Sequence, residues 1–293
     1  MLEYVKVRAS ETLEQGDLVS FLKANLSNFT RPVGRTHIEG TECVEARVPF
    51  NSVEFEEIRK FVQRKRENRQ RGYVDFSIGR FLRKYSRSEL RNAQLLRLTI
   101  SPHFEPSGEE CGTIYETHCE HCNWGTQRSD LILDLRRAPR GKDICGTIAW
   151  VEWVVSEKFA STYRGERLTG ATLRRVTHFQ NPLKSSREWH QLWISGRAGK
   201  LSTQTKLGKD PFVPDEVGWQ CPRGHAIVAS FLSEVYLHRE QWDGSDFAVT
   251  DSLFGQGRNL LRPTPLIINS QRAYRAMEEA GIKGFSVEVA HLI

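Results

Sequence analysis

The sequence lacks any apolar run near the roughly 20 residues that a membrane-spanning helix needs. Even Trp150-Val-Glu-Trp-Val-Val155 is short and interrupted by Glu152. The opening Met1-Leu-Glu-Tyr-Val-Lys6 has no basic segment leading into an apolar core. No secretory signal is therefore expected, and the cytoplasm is the expected location. Enzyme signatures are missing as well: there is no HExxH, no GxSxG elbow and no GxxxxGKS/T phosphate loop, and Gly196-Arg-Ala-Gly-Lys200 has the wrong spacing for the last. Gly255-Gln-Gly257 is part of a dinucleotide fingerprint, but Leu260 stands where the third glycine belongs, so it reads as a turn. His118-Cys119-Glu120 contains a His-x-Glu without the ordered Pro-Cys-x-x-Cys of a zinc deaminase. Asp243, Asp246 and Asp251 fall in a Gly- and Ser-containing stretch and read as solvated turn carboxylates. A non-enzyme is expected.

What is present is an ordinary globular composition, 39% hydrophobic and 27% charged, over 293 residues, a length that suits two domains. The net charge is +6, and it is regional. From Glu54 to Arg97 there are 13 basic and 6 acidic residues, so the rest of the chain sums to about −1. The densest part is Arg64-Lys-Arg-Glu-Asn-Arg-Gln-Arg71, followed by Arg80, Arg83, Lys84, Arg87 and Arg91. Arg64, Lys65, Arg66, Arg69, Arg71, Arg83 and Lys84 are thus candidate contacts to an acidic protein or to nucleic-acid phosphates. A solvated helix tail and loop is the plainer alternative. No aromatic residue interrupts Arg64 to Arg71, which argues against a single-strand stacking platform.

The six cysteines are Cys43, Cys111, Cys119, Cys122, Cys145 and Cys221. In a cytoplasmic chain, close spacing points to metal more than to disulfides. Cys119-Glu-His-Cys122 lets one tight turn aim two thiolates at one ion, and Cys221-Pro-Arg-Gly-His225 offers a thiolate and an imidazole across another turn. Together they make three thiolates and one imidazole, a common closed zinc site, and structural zinc is expected. Cys111, Cys145, His118 and His121 are rival ligands, and a redox pair is the competing reading of the CxxC.

Tyr4-Val-Lys-Val-Arg8 and Cys43-Val-Glu-Ala-Arg-Val-Pro-Phe50 alternate like strands, and Leu18 to Leu22 is helical. Asn51 with Glu54 is a capping-box pattern before a stripe of Phe55, Ile58, Phe61 and Val62. Residues 1–62 thus read as a βαββα-like module. Ser86 with Glu89 opens a short helix that leads into a strand over Leu96–Ile100. Pro102, Pro106, Ser107 and Gly108 then place a boundary near residue 105. The expected class is α+β: a basic module over 1–105, and a zinc-clipped domain over 106–293.

The second domain contains an internal echo at about 150–178 and 265–291. Glu152-Trp-Val-Val-Ser156, Phe159 to Tyr163, Leu168-Thr-Gly170 and Val176-Thr-His178 are matched by Pro265 to Ser270, Ala273 to Met277, Ile282-Lys-Gly284 and Val287 to His291. Serine to glycine is 14 residues in both copies; serine to histidine is 22 and 21. Each copy reads as strand, serine-capped helix, glycine turn and strand. Trp189, Trp193, Trp219 and Trp242 lie between the copies and read as core, with partner anchoring as the alternative.

Cys119-Glu-His-Cys122-Asn-Trp-Gly125, Asp134-Leu-Arg-Arg-Ala-Pro139, Glu152 to Ser156 with Leu168-Thr-Gly170, Cys221 to His225, Leu261-Arg-Pro-Thr-Pro265 and the closing Ile282 to His291 carry a resemblance. Over roughly residues 110–293 the chain resembles the bacterial double-CXXCG immunity proteins of polymorphic toxin systems. The resemblance implies a non-catalytic cytoplasmic protein that binds one cognate toxin and blocks it. Asn123 stands where the pattern has glycine, and His225 replaces a second cysteine. A zinc-containing nucleic-acid binder using the basic segment 59–91 is the alternative expectation.

Overall fold

The computed structural model describes residues 1–10, 16–25, 43–68, 79–149, 151–212, 214–215, 217–255 and 261–293. The protein is mixed α+β. It divides into one unit of Met1–Ser86, Lys206–Gly218 and Ala229–Ser233, and a second of Arg87–Thr205, Trp219–Val228 and Glu234–Ile293. The division thus falls between Ser86 and Arg87 rather than near 105. The reason is the strand that follows, which pairs with strands from the end of the chain.

In the first unit the strands β1 (Leu2–Ser10), β2 (Cys43–Pro49) and β3 (Gly79–Lys84) form an antiparallel sheet in the order β2-β1-β3. Helices α1 (Gly16–Asn25) and α2 (Val53–Glu67) supply the rest of the core. Among the described residues β2 stands between the helices, and the rest of that interval, 26–42, lies outside them. Alternation sends Val5, Val7 and Ala9 inward to meet Leu18, Leu22, Phe55, Ile58 and Val62. Ser52, not Asn51, caps α2, its hydroxyl accepting the Phe55 N–H at 3.2 Å. Phe212 stacks on Phe55 and leaves no room for a side chain at Gly79.

The second unit carries the echo. Numbering strands of three residues or more, its first sheet holds β7 (Leu131–Leu133), β8 (Ile144–Thr147), β9 (Trp153–Ser156), β10 (Ala171–His178) and β11 (Asn181–Ile194), after a separate hairpin of β5 (Tyr115–Cys119) and β6 (Trp124–Gln127). The second sheet holds β4 (Leu95–Ile100), β12 (Gly196–Gly199), β13 (Val235–Leu237), β14 (Phe247–Phe254), β15 (Thr264–Ser270) and β16 (Phe285–Leu292). Helix α3 (Arg87–Asn92) precedes β4; α4 (Glu157–Gly165) and α5 (Gln271–Glu279) follow β9 and β15.

Across the first sheet the order is His103–Phe104, β8, β9, β11, β10, β7; across the second it is β12, β14, β15, β4, β16, β13. Both run parallel, antiparallel, antiparallel, antiparallel, parallel. Register agrees residue by residue. Ser156 faces Trp189 as Ser270 faces Leu95, and Ala171 faces Ile194 as Phe285 faces Ile100. β4, early in the chain, therefore fills the place that β11 fills in the first copy.

The same register separates the two histidines. His178 lies opposite Leu133, and its counterpart opposite Leu237 is Leu292; His291 lies one residue earlier. The one-residue difference in spacing thus puts them on opposite sheet faces. They also have different partners: the Gln180 N–H donates to His178 Nδ1 at 3.2 Å, while His291 Nε2 meets Glu234 at 2.6 Å.

One core joins the copies. Ile144, Val155, Phe159, Leu168 and Leu192 of the first pack with Phe247, Ile267, Ala273, Met277, Ile282 and the Leu98 and Ile100 of β4. Ser156 and Ser270 cap their helices by accepting the Phe159 and Ala273 N–H groups. Each serine in turn donates to a carboxylate of its own copy, Ser156 to Asp143 at 3.0 Å and Ser270 to Asp246 at 2.6 Å. Each carboxylate also accepts a backbone N–H from the other copy's glycine turn: Lys283 to Asp143 at 2.9 Å, Thr169 to Asp246 at 2.8 Å. The turns approach so closely that a Cβ on Gly170 or Gly284 would lie 2.0 Å from the carbonyl oxygen of Phe247 or Ile144. Both glycines also hold positive φ, +85° and +113°.

Asp246 is therefore buried, not a solvated turn carboxylate, whereas Asp243 and Asp251 are exposed. Burial pushes the Asp246 carboxyl up, but donation from Arg272, Ser270 and Thr169 outweighs it and holds the group below the usual carboxylate range. A lowered native pKa contributes stability that is present above the unfolded value, about 3.9, and is lost as pH falls through the native one. Asp246→Asn should cost about 1–3 kcal/mol in urea unfolding at pH 7, and the gap to the unaltered chain should shrink below about pH 4. A gap unchanged down to pH 3 would contradict this linkage. Gly284→Ala, which meets backbone rather than a movable side chain, should be more damaging than Asp246→Asn in the same assay.

Candidate metal centre

The first half-site is the turn of the β5–β6 hairpin. Thr117 pairs with Gly125 and Cys119 with Trp124, and Gly125 has no room for a Cβ, which would fall 2.2 Å from the Glu116 carbonyl oxygen. The left-handed residue that reverses the chain is Asn123, φ 56°. Asparagine is among the few side chains that tolerate that region, so the place of the motif's glycine is kept in conformation. The second half-site is another tight turn, in which Cys221 N–H bonds Ala226 O at 2.8 Å and Gly224 N–H bonds Cys221 O at 2.8 Å. Its left-handed residue is Gly224, φ 74°. That glycine occupies the third position after Cys221, where a CxxC would place its thiol. The ligand is supplied one residue later by the longer His225 side chain.

The turns bring the four groups together. Cys119 Sγ lies 3.8 Å from Cys221 Sγ, and His225 Nδ1 lies 3.9 Å from Cys122 Sγ and 4.0 Å from Cys221 Sγ. All four ligand atoms fall within 4.8 Å of one another, so Cys119, Cys122, Cys221 and His225 can hold a metal ion. The three sulfurs belong to buried residues packed with Ala226, Trp124, Trp219 and Leu253. The Trp124 ring lies 4.9 Å from His225. Burial pushes the Cys122 thiol up to about 12, with neighbouring cysteines adding to it. At Cys221 burial also raises the thiol, but the Arg223 and His225 backbone N–H groups and the neighbouring thiols outweigh it and hold it below its ordinary value. An ion offsets the repulsion among thiolates gathered this closely.

The rival ligands lie elsewhere. Cys145 is buried among Phe104, Leu131, Leu133 and Val154, where burial alone pushes its thiol up to about 12. Burial likewise raises Cys111. His118 Nε2 meets Thr126 Oγ1 at 3.0 Å, and His121 is exposed. Among the described residues the four ligands form the one such cluster.

Two buried groups brace the centre, and sequence reasoning missed both. Arg262, 3% exposed, donates to the Asn123 carbonyl oxygen at 3.2 Å and lies 4.4 Å over the Tyr115 ring. Asn123 Nδ2 returns a bond to Leu261 O at 3.1 Å. Glu152 is fully buried and accepts from the Tyr115 hydroxyl at 2.6 Å, the Gly108 N–H at 2.8 Å and the Thr147 hydroxyl. The signal in the sequence was a charge inside a hydrophobic or proline-bounded stretch, which demands a partner when buried.

Among the described residues the basic candidates lie on two elements, Arg64, Lys65 and Arg66 in the last turn of α2 and Arg83 and Lys84 on β3. Arg64 and Lys84 are exposed, Lys65 pairs with Asp17, and Arg66 is half-buried. Arg69 and Arg71 lie outside the described residues. Arg83 is a correction: strand alternation turns it inward, where its side chain is 1% exposed, bonds Glu3 at 3.0 Å and lies 4.4 Å over the Phe81 ring. Of the tryptophans, Trp219 packs at the metal centre, Trp189 against the Leu131 core, and Trp193 carries the Arg174 guanidinium 3.5 Å over its ring. Trp242 donates to Ser245 O at 3.3 Å.

No protein-family model matches the chain, and no curated protein matches its sequence.

Because Arg262 fixes the first turn through Asn123, Arg262→Ala should weaken metal binding by about 10- to 100-fold in competition with a chromophoric chelator. Asn123→Gly keeps the left-handed turn but loses the Nδ2 bond to Leu261 O, so it should lower affinity less than Asn123→Val, which is disfavoured at positive φ. Equal affinities for the glycine and valine variants would contradict the left-handed requirement.

Proposed function

We propose that this chain is a non-catalytic immunity protein that binds a cognate bacterial toxin and occludes its active surface, with Zn2+ as a structural metal. The observation that carries the reading is the closed ligand set. Three thiolates and one imidazole suit zinc, and tetrahedral zinc at about 2.3 Å from sulfur places its sulfurs about 3.8 Å apart, the Cys119–Cys221 separation. The sulfur–nitrogen distances need only a small contraction. Four protein ligands leave no open position for substrate or water, which supports a metal that holds structure. The ligands come from two stretches a hundred residues apart, so the ion ties the two copies of the repeat together.

The quoted motifs support the immunity assignment, since the ligands, the Arg262 brace, the buried Glu152 and both glycine turns all fall within them. Free thiols at the ligand cysteines suit the reducing cytoplasm. Among the described residues no helix is long and apolar enough to cross a membrane. Neutralisation would be steric and electrostatic, without turnover.

Affinity purification from the native host at moderate salt, followed by native mass spectrometry, tests the proposal. One zinc and one stoichiometric protein partner are expected. Nucleic acid that leaves as salt rises, with no protein partner, would instead favour the zinc-containing nucleic-acid binder suggested by segment 59–91. Cys119→Ser and Cys221→Ser should each release the metal and destabilise the second unit by several kcal/mol. Full zinc content and unchanged thermal stability in either variant would overturn the structural role.

A further inference from the structure

We infer that the open face of the β2-β1-β3 sheet in the first unit is a docking surface for an acidic protein. This rests on the reading of the chain as a protein binder and names where the partner sits.

Strand alternation sorts the first unit's charges more sharply than the linear sequence does. Val5, Val7, Ala9, Ala46, Val48 and Phe81 face the helices. The intervening residues take the other face. Register places Lys6 opposite both Arg47 and Arg80, Arg8 opposite Glu45, and Leu2 opposite Lys84. Among the described strand residues five cations, Lys6, Arg8, Arg47, Arg80 and Lys84, therefore share one face with one carboxylate, Glu45, which lies low among them and pairs with Lys6 at 2.5 Å. Arg8, Arg47, Arg80 and Lys84 are exposed. Of these, Arg80 and Lys84 belong to the basic stretch apparent in the sequence, whereas Arg8 and Arg47 lie outside it.

The face is not uniformly charged. At one end Tyr4 sits opposite both Leu82 and Pro49, next to Leu2, which is 67% exposed. The Arg47 guanidinium lies 6.0 Å over the Tyr4 ring. An apolar patch of Leu2, Tyr4, Pro49 and Leu82 at one end of a basic field combines the tyrosine and arginine anchors that protein interfaces favour. A nucleic-acid platform would present several rings for stacking, and among the described residues of this face Tyr4 is the one ring. The charge complement is a surface of carboxylates around an apolar ridge.

The test uses the full chain and a fluorescent 15-residue peptide of alternating glutamate and leucine, with a glutamate–serine peptide and a 15-nucleotide oligothymidylate as comparisons. The glutamate–leucine peptide should bind most tightly. Arg80→Glu with Lys84→Glu should weaken it about tenfold or more at low salt, while Lys60→Glu with Arg64→Glu, exposed on α2, should change it less than about twofold. Tyr4→Ser should remove the preference for leucine over serine. Equal losses from the two charge reversals, tighter binding of the oligonucleotide, or no binding of the peptide would each overturn the assignment. If a stoichiometric partner from the native host still co-elutes with the Arg80→Glu, Lys84→Glu chain, the face is wrong although the toxin reading stands.

Discussion

Neither copy of the strand–helix–strand repeat can bury its apolar face alone, and the second unit is organised around that fact. Each sheet and helix supplies half of a core that closes only when both copies are present. The polar contacts obey the same condition. Asp143 and Asp246 each secure a helix cap in their own copy and a turn in the other, so neither turn has its full hydrogen bonding in isolation. The metal ligands repeat the pattern, one pair following His103–Phe104 and the other following β12, in equivalent places of the two copies. Apolar burial, reciprocal carboxylates and a ligand set that can hold one ion thus span the same two halves.

This arrangement is that of a dimer contained in one chain, with one transposition. The strand that closes the first sheet, β11, follows its copy, whereas the strand that closes the second, β4, comes before both. The chain therefore returns from its last residues to pair with residue 95 onward, making the second unit's closure long-range. Forming such contacts is slow relative to local hairpins, because the entropy of closing the loop is lost before the contacts reward it.

The departures from the CXXCG pattern have a common physical source. A tight turn needs one residue with positive φ, and a ligand needs a side chain; glycine satisfies only the first demand. In the first turn Asn123 meets the conformational demand beyond the ligand, and in the second Gly224 takes the ligand's usual position and passes the role to His225. Imidazole can do this because its ring nitrogen stands farther from the backbone than a thiol. In the first unit, strand alternation exposes cations on one sheet face and hides Arg83 on the other.

The sequence by itself determined the helix caps Ser156 and Ser270, the two glycine turns, the alternating strands and the two half-sites, because each follows from short-range spacing; that the half-sites meet and the rival ligands lie elsewhere is a matter of the fold. It could not determine that Asn51 yields to Ser52, a choice set by which residue meets the turn entering α2. Nor could it show that Asp246 is buried, that Arg83 points inward, or that β4 belongs to the last sheet. Those depend on partners up to some two hundred residues away, and only the folded chain brings them into contact. The matched histidines show the limit best: similar in spacing, they differ by one residue of register, and in a strand one residue is a change of face.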